Sequence, residues 1–412
     1  MALATEYFDD GSLFFAIDPR SIDPDQLVGF SLYERQVQEA GKFRFRSLLK
    51  DTCSIPKDRL LRLLHSWDEV YIHRHQRKRY QNYVKENLGF ILKHEDVDAR
   101  HKSRSLVFAS GEVIQEAFQV NFSSKTDTEK MIANITKLLT TVIDFISDIR
   151  SLDGMAELVG HDYDTHTHSI KVGWLLALFI NNNQDLFPEL DAKALRRLMI
   201  QATAAGFFHD IGKIKIPKNV INKPGKLNNL EYILIQSHAA YSMGLLFKTP
   251  LPRNCLEIVL YHHENQDGSG YPCGLMGEEI PLLSRVCHIV DVFDALTSKR
   301  AYKPPKTPYD ALRIMTGDNP YVDALRKFED EVKENRRVPV VTVVRDDYEA
   351  KLKRLREREM LEEEARKRVK ARVKLRDQGM AHCFDKELLR RFIQTMNRSD
   401  NFDLSGLLGP AS

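Results

Sequence analysis

The stretch Ala204-Ala205-Gly206-Phe207-Phe208-His209-Asp210-Ile211-Gly212-Lys213 decides how the rest of the chain is read. Five small or apolar residues run directly into an imidazole, a carboxylate and, one turn later, a lysine. A His-Asp pair emerging from a buried helix is unfavourable unless its charge is compensated, and a divalent metal compensates it well. Lys213 falls near the same point, where it would meet an anionic substrate or protonate a leaving oxygen.

Working outward, eight of the 14 histidines lie between His161 and His288. Asp164 and His168 are four apart in a helix-forming stretch, so both leave one face. Taken alone, that spacing more commonly marks a surface ion pair. His238 sits in a helical stretch, Tyr232 to Leu246, where a lone histidine is usually a satisfied core residue. His262 and His263 point about 100° apart on a helix, and Glu264 follows them. The loop Asp267-Gly268-Ser269-Gly270-Tyr271-Pro272 then sets Tyr271 close to the histidines. Asp291 and Asp294 lie one turn apart on an apolar helix, with Arg300 and Lys303 just beyond, suited to phosphate or guanine edges. The set holds imidazoles and carboxylates without thiolates. It suits iron, manganese or zinc, and more than four ligands imply more than one ion. Two close ions bind a phosphate, generate hydroxide at neutral pH and stabilise a leaving oxygen.

The remaining sequence supplies the frame. With 412 residues the chain is expected to hold two or three domains. A net charge of +3 is too small to point to nucleic acid. Five cysteines without a CxxC pair argue against a disulfide framework and suit a reducing cytoplasm. The longest apolar run, Trp174 to Ile180, falls well short of the roughly 20 residues that span a bilayer, and no secretory leader is visible. Residues 1–125 mix strand patterns (Ser12 to Ile17, Val70 to Ile72) with helical ones (Asp58 to Leu64, Gln76 to His94) and read as a small α/β regulatory or sensory module. His73 and His75 read as a solvated strand face. Thr126 to Leu152 shows helical periodicity, either a signal connector (126–155) or a packing helix. Residues 156–315 with 380–400 form the histidine-rich helical unit, closed by the amphipathic segment Phe384 to Met396. Between them, 316–379 carries a strand-like run, Val338 to Val344, and a charged helix, Asp346 to Asp377, whose interleaved signs mark a solvated or coiled-coil face rather than a nucleic-acid surface.

The ordered series HDIGKIKIP (209–217), INKPGKLNNLEY (221–232), SHAAYSMG (237–244), HHENQDGSGYPCGLMGEEIP (262–281), SRV (284–286) and DVFDALTSKRAYKPPK (291–306) closely resembles the HD-GYP family of bacterial cyclic di-GMP phosphodiesterases. The resemblance covers roughly Asp162 to Lys306, about two-fifths of the chain, and FDKELLRRFI resembles the family's closing helix. It implies a mainly α, HD-superfamily helical bundle. It implies metal ligands at His168, His209, Asp210, His238, His262, His263 and Asp291, with Asp210 bridging two divalent ions, iron or manganese. Asp164 stands where some members carry a glutamate for a third ion, one methylene shorter, which favours two ions over three. Lys213 matches the lysine at the scissile phosphate; Tyr271, Arg300 and Lys303 match positions holding the dinucleotide, and Asp294 is grouped with them on the substrate side. The implied activity is hydrolysis of cyclic di-GMP to pGpG, and on to GMP after a second cut. Other readings are an HD phosphohydrolase for another nucleotide and a non-catalytic sensor or scaffold. A homodimer or a signalling partner would use the connector or the charged helix. Asn265, where the family often carries a basic residue, and the 316–379 insertion are departures.

Overall fold

The computed structural model describes residues 6–9, 12–26, 29–37, 43–50, 56–148, 150–156, 165–299, 304–317, 380–398 and 404. The chain opens with five strands: β1 (Glu6–Asp9), β2 (Phe14–Ile17), β3 (Leu32–Val37), β4 (Phe43–Leu49) and β5 (Val70–His73). They form one antiparallel sheet in the order β1-β4-β3-β5-β2. Strand β4 explains the arrangement locally. In Phe43-Arg44-Phe45-Arg46 the apolar and charged residues alternate with the period of a strand. Phe45 is fully buried against Phe14, Tyr33 and Tyr71, while Arg46 pairs with the buried carboxylate of Glu34.

Helix α1 (Lys57–His65) precedes β5, and α2 (Arg77–Lys93) and α3 (Ala99–Ala117) follow it. The expected helix from Thr126 to Leu152 is instead two. Helix α4 (Lys125–Ile146) ends, the chain turns, and α5 (Ser151–Ala156) begins. Local side-chain bonds compete with the helix at this point. Ser147 Oγ donates to the Ile143 carbonyl at 2.7 Å, and Asp148 Oδ1 accepts from the Arg150 amide at 2.9 Å. The same competition splits the stretch 232–246 at Ser237, whose Oγ donates to the Leu234 carbonyl at 2.6 Å.

The histidine-rich unit is built from α6 (Thr165–Asn182), α7 (Ala192–Phe208), the short α8 (Lys218–Ile221), α9 (Asn229–Gln236), α10 (His238–Leu246), α11 (Arg253–Tyr261), α12 (Leu282–Thr297), α13 (Pro308–Thr316) and α14 (Lys386–Met396). From Val172 to Ile180 helix α6 is apolar all round, and Trp174 through Ile180 are each at most 2% exposed; such a segment belongs at the centre of a bundle. It packs most closely on α7. A Cβ on Gly206 would lie 2.6 Å from Gly173 Cα, so the two backbones touch where each lacks a side chain. That contact brings the first turn of α6 beside the last turn of α7, which sets His168 against His209.

The closing segment Phe384 to Met396 begins its helix at Lys386, capped by Asp385. Asp385 also pairs with Arg285 of α12 at 2.7 Å. Residues 346–377, read as a charged helix, and the strand-like run 338–344 lie outside the described residues, as does Asp164. Among the described residues no helix is long and apolar enough to cross a membrane.

Candidate metal centre

Four helix ends and the middle of a fifth helix converge on one buried point. His168 comes from the first turns of α6. His209 closes α7, and Asp210 follows at once. His238 opens α10, while His262 and His263 close α11. Asp291 projects from the middle of α12. Placing these residues at helix ends leaves the backbone carbonyls of each last turn without helical partners, and three of the histidines use them. His209 Nδ1 meets the Gly206 carbonyl at 2.7 Å, His238 Nδ1 that of Ile235 at 2.6 Å, and His262 Nδ1 that of Val259 at 2.8 Å. His168 Nδ1 instead meets Asp294 Oδ2 at 2.7 Å.

A carbonyl or carboxylate accepts but does not donate, so each Nδ1 carries the proton and each Nε2 of a neutral ring carries a lone pair. Burial holds His238 below the ordinary imidazole range and His262 far below it, which keeps these rings neutral. The lone pairs then face one another. His168 Nε2 lies 3.2 Å from His209 Nε2, and His238 Nε2 lies 3.4 Å from His262 Nε2. The carboxylates join them: Asp291 Oδ1 is 3.1 Å from His168 Nε2, and Asp210 Oδ1 is 3.2 Å from His238 Nε2. Asp210 Oδ1 is buried and accepts no hydrogen bond. Inward lone pairs with no proton between them are the donor arrangement a cation completes, and imidazole with carboxylate suits a divalent first-row metal.

The donors divide into two groups, each within 4.8 Å: Asp210, His238, His262 and His263; and His168, His209 and Asp291. Both carboxylates face both groups. Asp210 turns Oδ1 to His238 and Oδ2 to His209, the latter at 3.4 Å. Asp291 turns Oδ1 to His168 and Oδ2 to His263, the latter at 3.8 Å. Burial alone would raise the Asp210 carboxyl, but Lys213 and His209 beside it hold it well below the usual range. It stays an anion, paired directly with the Lys213 ammonium.

A loop closes one side. Glu264, 1% exposed, accepts from the amides of Cys273, Gly274 and Leu275 at 2.6, 3.2 and 3.1 Å. The Tyr271 amide donates to the His263 carbonyl at 3.1 Å, and the Tyr271 ring lies 4.7 Å from that of His263. Gly270 permits this approach, since a Cβ there would stand 2.2 Å from the Asn265 nitrogen. Burial keeps the Tyr271 hydroxyl protonated, leaving it a hydrogen-bond donor. The loop is also tied to the closing segment, through the Gln266 amide and the Cys383 carbonyl at 2.9 Å.

Comparison with known proteins agrees with this geometry. The profile described as HD domain matches residues 190–324. A cyclic di-GMP phosphodiesterase of Thermotoga maritima is 34% identical over 179 residues, 43% of this chain and 46% of that protein. A cyclic di-GMP phosphodiesterase of Pseudomonas aeruginosa is 36% identical over 174 residues, 42% of this chain and 40% of that protein. A 3'3'-cGAMP-specific phosphodiesterase of Vibrio cholerae is 46% identical over 101 residues, 24% of this chain and 19% of that protein. Residues 190–324 carry an HD domain, and these similarities support the resemblance of that region to the HD-GYP family. It spans less than half the length of each of these curated relatives.

An HD domain implies divalent metal binding, and in this chain the two donor groups are where metal would be held. Seven of the residues expected as ligands, His168, His209, Asp210, His238, His262, His263 and Asp291, are brought together. Lys213 and Tyr271 lie against them. Arg300 and Lys303, like Asp164, lie outside the described residues. Asp294 is placed differently from the substrate side expected of it. It is 2% exposed and sits behind His168, with Oδ1 3.1 Å from Lys171 Nζ and Oδ2 on His168. Ser298 Oγ lies 3.2 Å from Oδ2 and accepts from Lys171 at 2.9 Å. Its oxygens are thus engaged away from the open side. Burial would raise its carboxyl, but the His168 hydrogen bond and the Lys171 charge outweigh that and hold it low.

Sequence reasoning missed Lys171, Glu264 and His288 as supports. Lys171 is three residues after His168 and so shares its helix face, a signal that was present. His288 Nδ1 meets the His262 carbonyl at 3.0 Å; nothing in its local sequence marks that contact.

Proposed function

We propose that this protein is a metal-dependent cyclic dinucleotide phosphodiesterase that opens cyclic di-GMP to linear pGpG. The observation that carries the reading is the set of inward Nε2 lone pairs around Asp210, with a lysine and a tyrosine at the edge of the same centre. His168, His209 and Asp291 would hold one ion, and His238, His262 and His263 a second, with Asp210 shared; iron or manganese suits these donors. A divalent pair supplies a nucleophile at neutral pH and offsets charge on the phosphate.

The chain's own residues do the rest. Asp294 fixes the His168 ring and its tautomer, a positioning role. Lys213 faces the scissile phosphate and gives a proton to the leaving 3' oxygen as water adds to phosphorus and the P–O3' bond breaks; the proton that the water releases restores the Lys213 ammonium. Tyr271, held protonated, donates to the dinucleotide, with Arg300 and Lys303 as further contacts. Asp164 would serve a third ion. Residues 1–125 and the connector serve regulation of the 156–315 and 380–400 unit, in a cytoplasmic protein.

A second reading is hydrolysis of 3'3'-cGAMP, favoured by the relatives of that name. The test loads the protein anaerobically with iron or manganese, supplies cyclic di-GMP or 3'3'-cGAMP, and follows linear products by chromatography. We expect turnover of cyclic di-GMP and its loss in His209→Ala and Asp210→Ala together with bound metal. Binding without product under either metal refutes the enzyme; full activity in both variants refutes the site.

A further inference from the structure

The amino-terminal part of the chain contains a cavity of about 290 Å³ that the metal centre does not use. It lies between β2 and the helices α2 and α3. Arg74, Arg77 and Arg104 line it, with His101, and three rings, Phe15, Tyr80 and Phe108, form its apolar wall. Among the described residues, none of those lining it carries a carboxylate. Two carboxylates border it on the His101 side: Asp18 Oδ2 lies 3.9 Å and Asp98 Oδ2 2.9 Å from His101 Nδ1. Asp18 accepts from Arg20 Nε at 2.8 Å and Nη2 at 2.9 Å. Asp98 caps α3 and meets His101 Nδ1 at 2.9 Å. Arg74, Arg77 and Arg104 are all exposed, so an anion entering the cavity can reach their guanidinium groups.

The rings specify more than charge. Phe15 and Tyr80 have centroids 5.6 Å apart, and Tyr80 and Phe108 6.4 Å, so the wall is continuous. Guanidinium groups take phosphate oxygens in pairs, and aromatic faces take a planar base whatever its identity. The volume is at the lower end of ligand cavities, roughly 300 Å³, which favours one nucleotide over two. We propose that this cavity binds a nucleoside monophosphate or a ligand of that chemistry, a planar ring carrying a phosphate.

The position connects the cavity to the rest of the molecule. Arg104 and Phe108 lie on α3, and Phe118, at its carboxyl end, meets His166 of α6 with ring centroids 5.0 Å apart. His166 is two residues from His168.

The test uses the full chain carrying His209→Ala, so that the metal centre does not contribute, titrated calorimetrically with GMP, guanosine and inorganic phosphate. GMP is expected to bind at least about tenfold more tightly than either fragment, as two kinds of contact require. Arg77→Glu and Arg104→Glu are each expected to weaken GMP by about tenfold or more. Arg77 is exposed at the first residue of α2, where glutamate is favourable to the helix, so that variant tests the site even if Arg104→Glu fails to fold. Absence of GMP binding, or GMP binding indifferent to Arg77→Glu, overturns the proposal. Phosphate binding as tightly as GMP overturns the role of the rings. Because turnover is never read, the phosphodiesterase reading can fail with this site intact.

Discussion

His168 and Asp294, 126 residues apart in the chain, share a 2.7 Å hydrogen bond between Nδ1 and Oδ2. The bond fixes which nitrogen of His168 faces the centre, and Lys171 keeps the carboxylate charged.

Asp294→Asn tests this relationship. The asparagine keeps the shape but leaves Lys171 buried without its counter-charge, and its amide can present a donor to Nδ1. Supporting groups of this kind are worth about 10–100-fold in metal affinity. Removing one partner of a buried ion pair destabilises by about 3 kcal/mol. We expect weaker manganese binding in a direct titration, a lower melting temperature, and activity recovered by excess metal. Unchanged metal affinity would remove Asp294 from the support of the centre.

Asp294 also marks where sequence stopped being informative. Its spacing from Asp291 puts both carboxylates on nearly one face of α12, and from that both would be expected to look into the site. A helix face three residues long subtends enough angle for one carboxylate to reach the centre and the other to lie behind His168. Only the packing of α6 on α12 decides which. The ligand set was legible because its members combine into an ordered series of motifs, even where one histidine alone, such as His238, would read as core. Strands β3 and β4 fall outside the two strand patterns read from the sequence, although Phe43 to Arg46 alternates with the period of a strand. The break in the helix after Ile146 is written in Ser147 and Asp148, whose side chains bond locally instead of continuing the helix.

Glu264→Gln tests the loop. One carboxylate takes three amides, and a glutamine must turn an NH2 group toward at least one of them. The loss is about 1–3 kcal/mol of loop order. Tyr271 rides on this loop, while the metal ligands do not. We therefore expect a raised KM for cyclic dinucleotide with metal content retained. Equal losses in both quantities would show that Glu264 supports the histidines instead.

Gly206→Ala tests the α6–α7 contact. Its Cβ would meet Gly173 Cα at 2.6 Å and the Gly173 nitrogen at 2.7 Å, both backbone atoms unable to swing aside. Overpacking of this kind costs about 1–3 kcal/mol, and it separates His168 from His209. A lower melting temperature and reduced metal content are expected together. Gly244→Ala is the control. Nothing lies within 4 Å of its Cβ, and it stands inside α10. Helix propensity alone favours alanine there by about 1 kcal/mol, so a stable protein is expected. A Gly206→Ala protein as stable as the parent would mean that the two helices are not in backbone contact.

The buried histidines set an acid limit on the chelator-treated protein. Burial lowers His263 to about 3 and lowers His238, His262 and His288 as well. In the unfolded chain each takes up a proton near the ordinary value of about 6.5. Below that value the unfolded state binds more protons than the folded one, so stability falls as pH falls. Each histidine that stays neutral contributes about 1.4 kcal/mol per pH unit to that slope. The carboxylates Asp210 and Asp291, held well below their usual range, act lower. Their contribution is intact above about 3.8 and is lost only beneath it. Between pH 6.5 and 4 the histidines therefore dominate. Melting temperature measured across that window should drop steeply with acidification, and His263→Gln should flatten the drop. A melting temperature independent of pH from 6.5 to 4 would mean that these rings are not buried as neutral bases.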